Sequence, residues 1–121
     1  MTDEIAITGI RAMGYHGVYD HERRDGQEFV ADLVLSLSLA PAAASDDVVD
    51  TVHYGEVAER VAALLAGDPV NLIETLAERI ATAVLAGWPL VQTVAVTVHK
   101  PAAPIPVPFG DVAVTVRRSR P

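Results

Sequence analysis

Apolar and polar residues alternate with a period of two at both ends of the chain and follow a helical period between them. The segment EIAITGIRAMGY alternates around Ile5 and Ile7, and Gly9 interrupts it as a bulge would. EFVADLVLSLSLA sets Phe29, Ala31, Leu33, Leu35, Leu37 and Leu39 on one face. Its other face carries Val30, Asp32, Val34, Ser36 and Ser38, so it predicts a strand. The connection GVYDHERRDG is longer than a hairpin needs, and such connections tend to carry function.

After Pro41 the period lengthens. YGEVAERVAALLAG sets Val57, Val61, Leu64 and Leu65 on one helical face, with Gly67 as the stop. NLIETLAERIATAVLAG does the same through Leu72, Leu76, Ile80 and Val84, with Asn71 as N-cap and Gly87 closing the helix. VQTVAVTVH then places Val94, Val96 and Val98 inward, and DVAVTVRR places Val112, Val114 and Val116 inward. The order strand, strand, helix, helix, strand, strand predicts an α+β fold. It is a four-stranded antiparallel sheet with two helices on one face, formed as a single domain over residues 1–121.

The face away from the helices is bland, built of Ser36, Ser38, Thr93, Ala95, Thr97, Ala113 and Thr115. A four-stranded open sheet also has two unpaired edges, which closure with other copies into a β-barrel would remove. A solvated face is the simpler alternative.

Composition narrows the function. The chain is 50% apolar and only 5% aromatic, so aliphatic residues must make the core. Nine cationic against 16 acidic residues give a net charge of −7, which disfavours nucleic acid and anionic membranes as partners. There are no cysteines, hence no thiolate nucleophile and no cysteine zinc site. No basic leader opens the sequence, and its most apolar stretch is too short to span a bilayer. The expectation is a soluble cytoplasmic protein.

Four stretches carry candidate chemistry. GYHGVYDHE brings His16, Tyr19, His21 and Glu22 into one loop; it lacks the spacing of a metal site and reads otherwise as a polar turn. DTVHYGEV opens a helix with Tyr54, a phenol fit for proton transfer or stacking, or merely for packing. In NLIE, Asn71 and Glu74 fit a capping box. Glu74 could instead point outward and accept the paired N–H donors of an amino-pyrimidinone. In VHKPAAPIP stands the only lysine of the sequence beside eight arginines, braced by three prolines within residues 100–106. Unlike arginine, lysine can give up and regain a proton.

In this order and spacing, GYHGVYDHE, DTVHYGEV, NLIETLAERIA and VHKPAAPIP resemble the dihydroneopterin aldolase family of folate biosynthesis, over residues 5 to about 118. The resemblance implies the tunnelling fold, whose subunits close into four-membered barrels that usually stack as octamers, with the bland sheet face lining the lumen. It implies that Glu74 anchors a pterin substrate beside the backbone of Ile73. Tyr54 of a neighbouring subunit would cover the ring, bordered by Thr51, Val52 and His53. Glu22 and Lys100 would work at the trihydroxypropyl tail, with no metal or organic cofactor. Position 73 is Ile and position 18 is Val, sites where the family varies. An epimerase of dihydroneopterin or its triphosphate on the same scaffold is an alternative, for which Arg23 and Arg24 beside Glu22 are suggestive. A non-catalytic pterin-binding barrel protein is another.

Overall fold

The computed structural model describes residues 2–121. Strands β1 (Asp3–Gly14), β2 (Gln27–Leu37), β3 (Thr93–His99) and β4 (Ala113–Ser119) form one antiparallel sheet in the order β1-β2-β3-β4. Helices α3 (Tyr54–Leu65) and α4 (Ile73–Gly87) are inserted between β2 and β3 and cover one face, α3 over β1 and α4 over β3 and β4. The expected α+β layer plan therefore holds. Two short helices, α1 (Asp20–Asp25) and α2 (Ala40–Ser45), and a 3-10 turn at Val48–Asp50 add to it.

The core follows the period-two pattern. Phe29, Ala31, Leu33, Leu35 and Leu37 of β2 are buried against Val94, Val96 and Val98 of β3, and Val57, Val61 and Leu65 close down from α3. Val114 and Val116 are only half-buried, because β4 is an edge strand. Val112 lies ahead of β4, where its carbonyl accepts the Lys100 N–H. Gly9, at φ 74, is the bulge of β1, and the pairing with β2 shifts register between Ile7 and Ile10.

Helix α4 starts later than its pattern predicts. Leu72, extended at φ −119 and ψ 139, is the N-cap and is 49% exposed, so it does not belong to the buried face. That face is Ile73, Leu76, Ala77, Ile80, Ala81 and Val84. Asn71 caps nothing; its side-chain oxygen accepts from Arg23 Nη2 at 2.6 Å. Leu39, expected on the inner face of β2, lies beyond that strand as the N-cap of α2. Gly87 is the last residue of α4, and Gly67 follows the cap residue Ala66 of α3.

The outer sheet face is less bland than its serines and threonines suggest. Thr97 and Thr115 bond across strands at 2.7 Å and Thr93 and Ser119 at 2.9 Å, but Asp32 and His99 also stand there, bonded at 2.6 Å. Among the described residues no helix is long and apolar enough to cross a membrane.

Candidate active site

From Gly14 the chain turns through His16 and Gly17 into α1. His16 is fully buried, and two backbone groups hold it. Its Nε2–H donates to the Leu65 carbonyl at 2.7 Å, and its Nδ1 accepts the Val70 N–H at 3.1 Å. That pattern requires the neutral ring, and burial lowers its pKa despite the Leu65 bond, which raises it. His16 is thus a peg rather than a proton carrier. It pins the loop to the last residue of α3 and to Val70 in the connection to α4, and Gly17 N–H adds a bond to the Val70 carbonyl at 2.9 Å. His21 is exposed and stacks on Tyr19.

The peg positions Glu22. As the third residue of α1, Glu22 reaches back with Oε1 to accept the Tyr19 N–H at 3.2 Å, which helps to start a helix too short to be stable alone. Its Oε2 meets Lys100 Nζ at 2.6 Å and accepts from Gln27 Nε2 at 3.1 Å. The two charged side chains are 2% and 12% exposed, so this ion pair is largely desolvated. Burial pushes the Glu22 carboxyl up, but the bonds from Lys100, Tyr19 N–H and Gln27 outweigh it and hold the group below its ordinary value. Gln27 belongs to the site although its sequence position, one residue past the loop glycine, carried no signal. Its Oε1 is buried without a partner.

Lys100 follows the last residue of β3. Its N–H closes on the Val112 carbonyl at 2.8 Å, and its carbonyl accepts the Ala103 N–H at 3.1 Å. The proline segment therefore leaves the sheet as a fixed turn, which limits the positions the lysine can take.

The residue after Glu22, Arg23, reaches Asn71 just ahead of α4. A cavity of about 430 Å³ runs between Val18, Arg23, Asn71, Leu72 and Thr75. Ile73 is buried, whereas Glu74 is exposed and makes no salt bridge to another described residue. With Leu72 as N-cap, Glu74 is the second helical residue. No side chain caps this end, so the capping-box alternative for Asn71 and Glu74 does not form. The cations considered for a triphosphate are already engaged. Arg23 bonds the Gly17 carbonyl and Asn71, and Arg24 pairs with Asp25 at 2.9 Å.

Tyr54 lies elsewhere. It is the first residue of α3, 65% exposed, and His53 ahead of it caps the helix by accepting the Glu56 N–H at 3.2 Å. With Thr51, Val52 and His53 it lines a separate cavity of about 410 Å³, to which Asp46, in the left-handed region at φ 56, also contributes. Val52 is buried at the edge of this cavity. The other end of α3 is Leu65, whose carbonyl holds His16. Eleven helical rises, roughly 16 Å, thus separate Tyr54 from the loop that carries Glu22. One chain brings Glu22 and Lys100 together, and the Arg23–Asn71 bond ties their loop to the chain just ahead of α4; Glu74 lines a separate cavity with Arg60, Glu78 and Arg79. The same chain does not bring Tyr54, Thr51, Val52 and His53 to the pair.

Comparison with known proteins agrees with the sequence motifs. The sequence model of the dihydroneopterin aldolase family matches residues 5–117. A dihydroneopterin aldolase of Streptomyces coelicolor is 58% identical over 118 residues, covering 98% of each chain. One of Bacillus subtilis is 40% identical over 118 residues with the same coverage. The solved structure of Escherichia coli dihydroneopterin aldolase in complex with neopterin superposes with a TM-score of 0.88 at 31% identity, covering 97% of this chain and 99% of that one.

Proposed function

The chain belongs to the dihydroneopterin aldolase family, and from that premise we propose how its residues perform the aldolase reaction of folate biosynthesis. The substrate is 7,8-dihydroneopterin, cleaved to 6-hydroxymethyl-7,8-dihydropterin and glycolaldehyde. Residues 1–121 form one cytoplasmic domain. The observation that carries the proposal is the desolvated pair of Lys100 and Glu22, 2.6 Å apart at the end of β3.

The dihydropterin ring supplies its own electron sink, because its C=N bond is conjugated with the carbon that will lose its neighbour. Lys100 therefore has no need to form a Schiff base. Its neutral amine takes the proton of the second tail hydroxyl, directly or through water, and the ammonium so formed is the source of the proton returned later. The bond between the first and second tail carbons breaks, its electron pair moves into the ring system, and glycolaldehyde leaves. A proton returned to the first tail carbon gives the hydroxymethyl product. Glu22 fixes the ammonium, and its low pKa keeps it ionised beside the lysine through this cycle. Glu74, exposed and uncommitted at the start of α4, accepts the amino and N–H edge of the pterin beside Ile73.

Tyr54, with Thr51, Val52 and His53, completes the site from a second copy. The helix-length separation within one chain supports this, as do the two unpaired edges of the sheet. Four copies closed into a barrel, stacked in pairs, would use both edges. Epimerisation is the same cleavage followed by re-addition in the other stereochemistry, so it shares these residues. A triphosphate substrate is disfavoured because Arg23 and Arg24 are already paired.

Incubation of the protein with 7,8-dihydroneopterin, with product identification, tests the reading. Lys100→Ala should keep pterin affinity and lower turnover by about a hundredfold or more, and Lys100→Arg should also fail. Glu74→Ala should chiefly weaken pterin binding in calorimetry. Near-normal turnover of Lys100→Ala would refute the assignment.

A further inference from the structure

His99, the residue before Lys100, sits between two carboxylates. Its Nε2 is 2.6 Å from Asp32 Oδ2 on β2, and its Nδ1 is 2.7 Å from Asp111 Oδ2, just ahead of β4. An ionised carboxylate only accepts, so both ring nitrogens donate and the ring is an imidazolium. Asp32 is itself fixed, since its other oxygen accepts the N–H of the bulge residue Gly9 at 2.8 Å. The bonds to Asp111 and to Asp32 hold the imidazole above its ordinary range, against burial, which lowers it. Burial pushes the Asp32 carboxyl up, but Gly9 N–H and His99 bring it below its ordinary value. Arg11 and Glu28, paired at 3.2 Å, are the other charged groups lining the open cavity beside His99.

This cluster lies on the sheet face opposite the helices. Successive strand residues point to opposite faces, so whatever holds His99 from the outside fixes the backbone from which Lys100 leaves on the inside. The place needs holding. Residues 101–110 leave the sheet and return, β4 pairs within its own chain with β3 alone, and one backbone bond, Lys100 N–H to the Val112 carbonyl, marks the neck. Asp111 closes that neck beside the backbone bond, and Asp32 ties it to the interior strand β2.

We propose that His99, clamped between Asp32 and Asp111, is a positioning residue that holds the Lys100 ammonium at Glu22 and acts on cleavage only through that lysine. The inference rests on the aldolase reading of Lys100. Steady-state cleavage of 7,8-dihydroneopterin by the full chain tests it, using His99→Gln, Lys100→Ala and the double variant. His99→Gln should lower kcat by about tenfold or more, as a small displacement of a catalytic group does, with KM kept within about twofold. On the Lys100→Ala background the same change should have no further effect, because nothing remains to be positioned. The clamp has both arms below the raised pKa of His99, and above it the neutral ring keeps one N–H and loses one arm. Wild-type kcat should therefore carry an alkaline decline that His99→Gln lacks.

Thermal melts identify a variant that does not fold; Asp111→Asn, which weakens the clamp from its exposed side, then takes its place with the same expected pattern. A kcat of the clamp variant close to wild type, or losses that multiply in the double variant, overturns the proposal. A normal Lys100→Ala loss beside an unaffected His99→Gln overturns this inference alone. A wild-type chain that leaves dihydroneopterin intact overturns the aldolase reading and the inference together.

Discussion

Gly17 leaves the room that the Glu22 carboxylate occupies. Its φ of 151 is one that side-chain-bearing residues rarely adopt, and an added Cβ would fall well inside contact with the carboxylate. Gly17→Ala should therefore destabilise the fold by at least about 1 kcal/mol. It should also lower kcat by about tenfold or more by moving Glu22 off Lys100, which melts and steady-state rates would separate. The Glu22 charge has its own pH signature. Its folded pKa lies below the ordinary value, so its stabilisation is present above the ordinary carboxylate range and is lost as pH falls through the lowered pKa. Glu22→Gln leaves the lysine without its counter-charge and should cost about 3–5 kcal/mol near neutrality. The melting curves of variant and wild type should converge as acid protonates Glu22. A gap that persists in acid would point to lost packing instead. Lys100, Tyr54, Glu22 and Glu74 stood out as candidates by residue type and local motif, and only the family resemblance gave them expected roles. Gly17 and Gln27 did not, because what makes them matter is the carboxylate that the fold brings against them.

The two large helices and four strands were legible because each is long enough to repeat its period several times. Helices α1 and α2 were not, since six residues make fewer than two turns, and α2 buries none of its residues. Asn71 misled for a related reason: a good capping residue type outweighed the position that the backbone chose. The far end of α4 held a surprise of the opposite kind. Arg120 donates to the carbonyls of Leu85 at 2.6 Å, Trp88 at 2.9 Å and Val91 at 2.7 Å, which satisfies the end of the helix and the turn beyond it. No local pattern links residue 120 to residue 85. Arg120→Ala should lower stability by about 1–3 kcal/mol while leaving kcat unchanged, as read by melts and rates on one preparation. A lowered kcat at unchanged stability would mean that this end of α4 communicates with the site.

The proposed shared site divides its residues between two surfaces of the chain, one around Lys100 and Glu22 and one around Tyr54. Mixing a Tyr54→Phe chain with a Lys100→Ala chain by co-refolding should restore activity that neither shows alone, because some junctions then join an intact Tyr54 to an intact Lys100. Mixed assemblies that form and stay inactive would place Tyr54 in its own chain's chemistry. The arrangement also has a consequence in plain counting. A unit with one socket and one plug joins head to tail, and such junctions run on until they close. An open row of n chains contains n−1 working junctions and strands two unfinished ends, whereas a closed ring of n contains n. Catalytic yield per chain is then itself a measure of closure. Titrating active sites with a tight-binding pterin should count one per chain in the ring and fewer in any fragment of it.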